Sequence, residues 1–103
     1  MADAGWKAFE RRIASLFPNG RRRGPDTRGD SAGKCDIVCD GFAPELKLLG
    51  RPSFSDLLDA ARQSERNAEP LKVPVAIVKR KRDRDADSLV VMRLESFVEW
   101  YLG

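Results

Sequence analysis

The stretch from Lys34 to Leu49, KCDIVCDGFAPELKLL, constrains the fold more than any other part of the chain. Two short apolar runs flank Asp-Gly-Phe-Ala-Pro, a pattern that predicts a β-hairpin. Side chains alternate with period two along a strand. Cys35, Ile37 and Cys39 therefore share one face of the first arm, and Asp36, Val38 and Asp40 the other. In the second arm Glu45, Lys47 and Leu49 lie on one face and Leu46 and Leu48 on the opposite one. A turn at Gly41-Phe42 sets Asp36 opposite Lys47 with Glu45 on the diagonal, and a longer loop shifts that register. Either way Asp36, Glu45 and Lys47 converge on one face. Two carboxylates and an ammonium on a half-buried sheet face are either a solvated surface ion pair or a site built to hold a cation.

The chain contains no histidine. That excludes a Ser-His-Asp triad, a Cys-His pair and an HExxH zinc protease, so any hydrolysis must run on carboxylates, lysine and a hard metal ion. Cys35 and Cys39 lie four residues apart in one predicted strand, about 13 Å between Cα atoms, too far for a disulfide. With no histidine and no third cysteine the chain lacks the usual ligand set of a zinc site, and both read as small apolar core residues. A length of 103 residues predicts one domain spanning 1–103. No run of apolar residues is long enough to span a membrane and no signal-peptide h-region stands near the start, so the chain reads as intracellular, in the cytoplasm. The net charge is only +3, but its distribution is uneven. Arg21, Arg22, Arg23 and Arg28 cluster before the hairpin, and Lys79, Arg80, Lys81, Arg82 and Arg84 cluster later. Such clusters suit a phosphate backbone, or are solvated loop charges.

From Ala4 to Phe17 the spacing of Trp6, Phe9, Ile13, Leu16 and Phe17 predicts an amphipathic helix, stopped by Pro18-Asn19-Gly20. Glu10 falls about 20° from Phe17, inside the border of the apolar arc. It is either an edge residue with its carboxylate in water or a group aimed at a site. A short strand near Arg21 to Arg23 and a basic loop holding Asp26, Asp30 and Ser31 follow. Ser53 or Ser55 caps a helix to about Asn67, with Asp56 completing a capping box and Phe54, Leu57, Leu58 and Ala61 as its inward stripe. Gln63 lies beyond that stripe, as an ordinary helix former or a site residue. Leu71 to Val78 reads as a buried strand whose Pro74 demands an edge or a bulge. Ser88 to Leu94 is a further strand, and Glu95 to Leu102 a terminal helix with Leu94, Phe97, Val98 and Tyr101 inward. Trp100 and Leu102 add apolar flanks, either a cap on the sheet or a homodimer contact. The order predicts a mixed α/β domain around a central sheet.

Asp36, eight intervening residues and then Glu45-Leu46-Lys47 resembles the PD-(D/E)xK nuclease signature. The resemblance runs over nearly the whole chain: Glu10 on the first helix, GKCDIV around Asp36, PELK ending at Lys47, and Gln63 on the next helix. It implies a restriction-endonuclease-like αβββαβ core, a central mixed sheet flanked by helices. Within that superfamily the chain is most similar to the small Holliday-junction resolvases of archaea and their phages, which are compact, basic and dimeric. The implied activity is Mg²⁺-dependent hydrolysis of DNA, with Mn²⁺ as a substitute metal, acting as a homodimer on four-way junctions in recombination and repair. Asp36, Glu45 and Glu10 would be the metal ligands, with Lys47 and Gln63 completing the catalytic set. Arg21, Arg22, Arg23, Arg28 and Ser31 would contact the DNA backbone. A repair, flap or restriction nuclease of the same superfamily, and a nucleic-acid-binding module that no longer cleaves, are the alternatives.

Overall fold

The computed structural model describes the backbone of residues 2–23 and 35–103, and side chains from residue 5 onward within them. Arg28 and Ser31 lie outside the described residues, as do Asp26 and Asp30. The chain builds an α/β fold in the order α1 (Ala2–Ala14), β1 (Arg21–Arg22), β2 (Ile37–Val38), β3 (Phe42–Leu49), α2 (Phe54–Asn67), β4 (Val73–Arg80), a 3₁₀ turn (Asp85–Asp87), β5 (Leu89–Val91) and α3 (Leu94–Phe97). The last helix continues as a wider π-type turn over Val98–Leu102. Strands β3, β4 and β5 form a mixed sheet with β4 in the centre, parallel to β3 and antiparallel to β5. Strands β1 and β2 form a separate antiparallel ribbon, with Arg21 opposite Val38 and Arg22 opposite Ile37. Among the described residues no helix is long and apolar enough to cross a membrane.

The hairpin expected over Lys34 to Leu49 is not formed. Strand β2 pairs with β1, and no ladder joins it to β3. The reason lies in one donor. The Leu46 N–H, on the side of β3 away from β4, is taken by the Asp36 carboxylate at 2.8 Å. The connecting turn is held from both sides, since the Asp40 N–H donates to the Pro18 carbonyl and Val73 N–H to the Gly41 carbonyl. Gly41 takes a positive φ of 79° there, which glycine adopts without a Cβ penalty. The register that set Asp36 opposite Lys47 is therefore replaced by a side-chain bridge.

Helix α1 ends at Ala14, three residues before the expected Phe17. Pro18 explains the stop. Its ring would clash with the Ala14 carbonyl in a continued helix, and it disfavours the helical region for Phe17. The chain turns back with Phe17 N–H on the Ala14 carbonyl, which leaves Leu16 exposed rather than in the core. Phe9, Ile13 and Ala14 pack on Ile37, Cys39, Leu46, Val75 and Ile77 to form the main core. Cys35 and Cys39 are both free and buried, as small core residues should be.

Helix α2 begins at the expected cap. Ser53 Oγ accepts from the Asp56 N–H at 3.2 Å and the Asp56 carboxylate accepts from the Ser53 N–H at 2.8 Å. It meets the other face of the sheet through small residues, Ala60, Ala61 and Ser64. Phe54, at the first helical position, falls before that stretch and is exposed, contrary to its place in the expected stripe. Pro74 sits in the central strand, not at an edge. Val73 donates toward β3, so the Pro74 nitrogen points to the other side, where β5 pairs only from Ala76 onward and no ladder bond is lost.

Asp85 ties the two ends of the chain together. Its carboxylate accepts from Arg12 Nε at 2.6 Å and Lys79 Nζ at 2.7 Å, and Lys79 also sits 5.2 Å from the centre of the Phe9 ring. These donors hold the Asp85 carboxyl down to about 2. A carboxylate with a lowered folded pKa stabilises above its unfolded pKa, and that contribution is lost as pH falls toward 2. Asp85→Asn should therefore lower the urea midpoint at neutral pH, and the difference from wild type should close as the pH falls toward 2. A difference independent of pH would contradict this role. At Gly20 a Cβ would overlap the Ala14 carbonyl oxygen. Gly20→Ala should cost about 2 kcal/mol in urea unfolding, and an unchanged midpoint would show that the turn relaxes freely.

Candidate active site

Glu45 is the centre of the site. It lies mid-strand on β3 with its side chain toward α2, and it is only 4% exposed. Gln63 Nε2 donates to one carboxylate oxygen at 3.3 Å and Asn67 Nδ2 to the other at 3.1 Å. Gln63 and Asn67 are four residues apart, so one face of α2 presents both amides to the strand. Asp36 stands just before β2, half-buried, with one oxygen anchored on the Leu46 N–H. The Glu45 carboxyl is pushed up to about 7, first by burial and then by the negative charge of Asp36 and a hydrogen bond shared with it, while Asn67 and Lys47 act in the opposite direction. Lys47, two residues on along the same face, lines a cleft of about 180 Å³ with Leu49, Asp56, Asp59, Ala60 and Gln63.

Asp36, Lys47 and Gln63 all lie around Glu45, Lys47 by the alternation of β3, Gln63 from α2, and Asp36 by its bond to the Leu46 N–H rather than by a hairpin ladder. Glu10 is not part of that group. It is 6% exposed on α1 and accepts from Arg22 Nε and Nη2, both at 3.0 Å. Arg22 and its partner Ile37 face α1, whereas Asp36 turns toward β3, so the ribbon directs the two acids to different neighbours. Among the described residues no cluster of three or more metal-ligating side chains occurs. Asn67 is the site residue that the sequence reading missed. Its signal was available, one helical turn beyond Gln63.

The basic residues divide sharply. Arg22 is bound to Glu10, and Arg23 donates to the Cys35 carbonyl at 2.7 Å and to Glu69 at 2.8 Å. Arg21 is exposed and lines an open cleft of about 350 Å³ with Arg11. The later basic run is largely neutralised from within. Arg80 pairs with Asp83, Arg84 with Asp87, and Lys79 with Asp85. The aspartates interleaved in KRKRDRDAD already carried two of those pairings, Arg80–Asp83 and Arg84–Asp87, at three-residue spacing.

Asp36 and Glu45 fit a hard divalent cation. Both offer only oxygen, and of the causes that raise the Glu45 carboxyl, burial first and the charge of Asp36 second, the second is one a cation would relieve. The site has two carboxylates rather than three, which suits an ion that keeps several waters. Comparison with protein-family models, curated proteins and solved structures finds no match to this chain.

A carboxyl whose folded pKa is raised stabilises below its unfolded pKa, and that contribution is lost as pH rises through the folded value. In chelator-treated protein, stability should therefore fall between about pH 4.5 and 7 on account of Glu45. Glu45→Gln should remove that slope. Carbon-detected NMR of the side-chain carboxyls should place the Glu45 midpoint near 7, and Asp36→Asn should lower it. A midpoint in the ordinary carboxylate range would refute the coupled pair.

Proposed function

We propose that this chain is a metal-dependent DNA endonuclease of the PD-(D/E)xK type, most like a junction resolvase. The observation that carries the reading is the acid pair Asp36–Glu45 with Lys47 two residues along the same strand face, at the residue spacing of that signature. The order of elements from α1 to β4 supports the matching core, although β1 and β2 stand apart from the sheet of β3, β4 and β5.

Asp36 and Glu45 would hold Mg²⁺. When bound, that ion lowers the pKa of the attacking water and neutralises charge on the phosphate. Gln63 and Asn67 fix the direction of the Glu45 carboxylate, and the Leu46 N–H fixes that of Asp36. Lys47 orients the water and offsets the charge that develops on the phosphate oxygens. The water oxygen bonds to phosphorus as one of its protons passes to solvent, the bond to the leaving sugar oxygen breaks, and that oxygen takes a proton from solvent. Glu10 acts through Arg22, holding it against α1. Arg21, with Arg11, is left to meet the DNA backbone, where contacts position the substrate without reading bases.

A second reading, a binding module on the same fold, draws on one observation: Glu10 is committed to Arg22 and supplies no third ligand. Cleavage separates the two. Four-way junction, flap and linear duplex DNA should be incubated with Mg²⁺ or with EDTA. Metal-dependent nicking of the junction is expected, and Glu45→Gln or Lys47→Ala should slow it by at least about 100-fold while DNA binding persists. Cutting of flap or linear DNA alone would replace the resolvase assignment by another nuclease of the type. Binding with no cutting of any substrate would favour the second reading.

A further inference from the structure

The C-terminal helix is turned opposite to its expected direction. At about 100° per residue, Leu94, Phe97, Val98 and Tyr101 fall on one side, opposite Ser96, Glu99 and Trp100. Arg93, at the helix entry, is clamped to Glu65 of α2, with Nε–Oε2 at 2.9 Å and Nη2–Oε1 at 2.8 Å. The apolar stripe, expected to face inward, is exposed, and the opposite side lines a cleft of about 250 Å³ against the end of α2. Pockets for drug-sized ligands run to roughly 300–1,000 Å³, so this one suits a single side chain rather than a cofactor.

Three features of the cleft favour a cation. Four carboxylates, Glu65, Glu69, Glu95 and Glu99, line it against only two cations, Lys72 and Arg93. Arg93 is engaged by Glu65 and Glu95, and Lys72 by Glu69, whereas the exposed Glu99 joins no ion pair among the described residues. Ser96, on the same wall, is only 5% exposed. Its Oγ makes no hydrogen bond to another described residue. Among those residues Ser88 Oγ is the one fully enclosed side-chain atom without a partner, so Ser96 Oγ opens into the cleft. Trp100 stands four residues beyond Ser96 and one beyond Glu99, and an indole face attracts a cation. At the rim Leu71 is 90% exposed and held at a φ of 68°, a left-handed conformation that costs a leucine free energy and keeps its side chain outward.

We propose that this cleft binds an arginine side chain of a partner polypeptide, beside an apolar residue that packs on Leu71. A planar guanidinium lies on the Trp100 ring while its edge donates to the Glu99 carboxylate and to Ser96 Oγ. A lysine ammonium has no plane to stack and no fork of donors. A metal ion fits less well, because no group of three or more metal-ligating side chains occurs among the described residues. Nucleic acid and anionic membrane are disfavoured by the excess of carboxylates. The cleft shares no residue with the Glu45 site, and the proposal does not depend on the nuclease reading.

Titration of the full chain with acetyl-Leu-Arg-amide, followed by proton–nitrogen NMR, tests it. The chain has two tryptophans, Trp6 and Trp100, so their indole N–H signals supply a reporter and an internal control. A saturable shift of the Trp100 signal is expected with Trp6 unmoved, at a Kd on the order of 1 mM. Acetyl-Leu-Gln-amide should bind at least about 10-fold more weakly, and acetyl-Leu-Lys-amide should fall between the two. Glu99→Gln, at an exposed position, should weaken binding of the arginine peptide about 10-fold with the rest of the spectrum unchanged. Ser96→Ala should weaken it less. A Trp100 signal that does not move overturns the proposal, and so does equal binding of the glutamine peptide or of the Glu99→Gln variant. Shifts centred on the Gln63 and Asn67 amides would place the cation at Glu45 and also overturn it. None of these outcomes involves metal or cleavage, so failure here leaves the nuclease reading standing.

Discussion

The hydrogen bond from the Leu46 N–H to the Asp36 carboxylate occupies the place where a backbone ladder between β2 and β3 would otherwise run. Strand β2 pairs with β1 alone. A carboxylate that follows the backbone in this way cannot withdraw to solvent, so it stands beside Glu45, whose own position is set by mid-strand burial and by the amides of α2. Sheet edge, ribbon and acid pair thus depend on one donor and one acceptor. A charge-assisted bond of this kind is stronger than the neutral ladder bond it replaces.

Several acids elsewhere among the described residues are matched by cations. Glu10 meets Arg22, Glu69 meets Arg23, Asp85 meets Arg12 and Lys79, and Glu65 meets Arg93. Against that background Asp36 and Glu45 are like charges drawn together, and burial raises the cost of ionising Glu45. The Gln63 and Asn67 amides lower that cost without cancelling it. A site that gathers two acids, while Glu10, Glu65, Glu69 and Asp85 meet cations, is suited to a positive ligand. The same matching removes Arg22, Arg23 and much of the later basic run from the set of free phosphate contacts.

Local signals were legible wherever neighbours in sequence are neighbours in space. The Ser53–Asp56 capping box, the short strand at Arg21–Arg22 and the burial of Cys35 and Cys39 all follow from spacing and residue type. The end of α1 was misjudged because Leu16 and Phe17 continue the apolar period, while Pro18 acts backward on Ala14. Phe54 and the C-terminal stripe were misjudged for another reason. Periodicity identifies an apolar face and says nothing of which direction the fold turns it.

The sequence by itself determined that Glu45 and Lys47 share a face, because a strand alternates with period two. It determined equally that Gln63 and Asn67 share one, because a helix repeats at four. It also limited the chemistry to carboxylates and lysine by lacking histidine. Only the tertiary structure decided which strand β2 pairs with, that the Asp36 carboxylate is tied to the Leu46 N–H next to Glu45, that Glu10 serves Arg22, and that the last helix shows apolar side chains to solvent. Those outcomes are choices between partners distant in the chain. Each potential partner offers a similar local gain, and only packing of the whole chain selects among them.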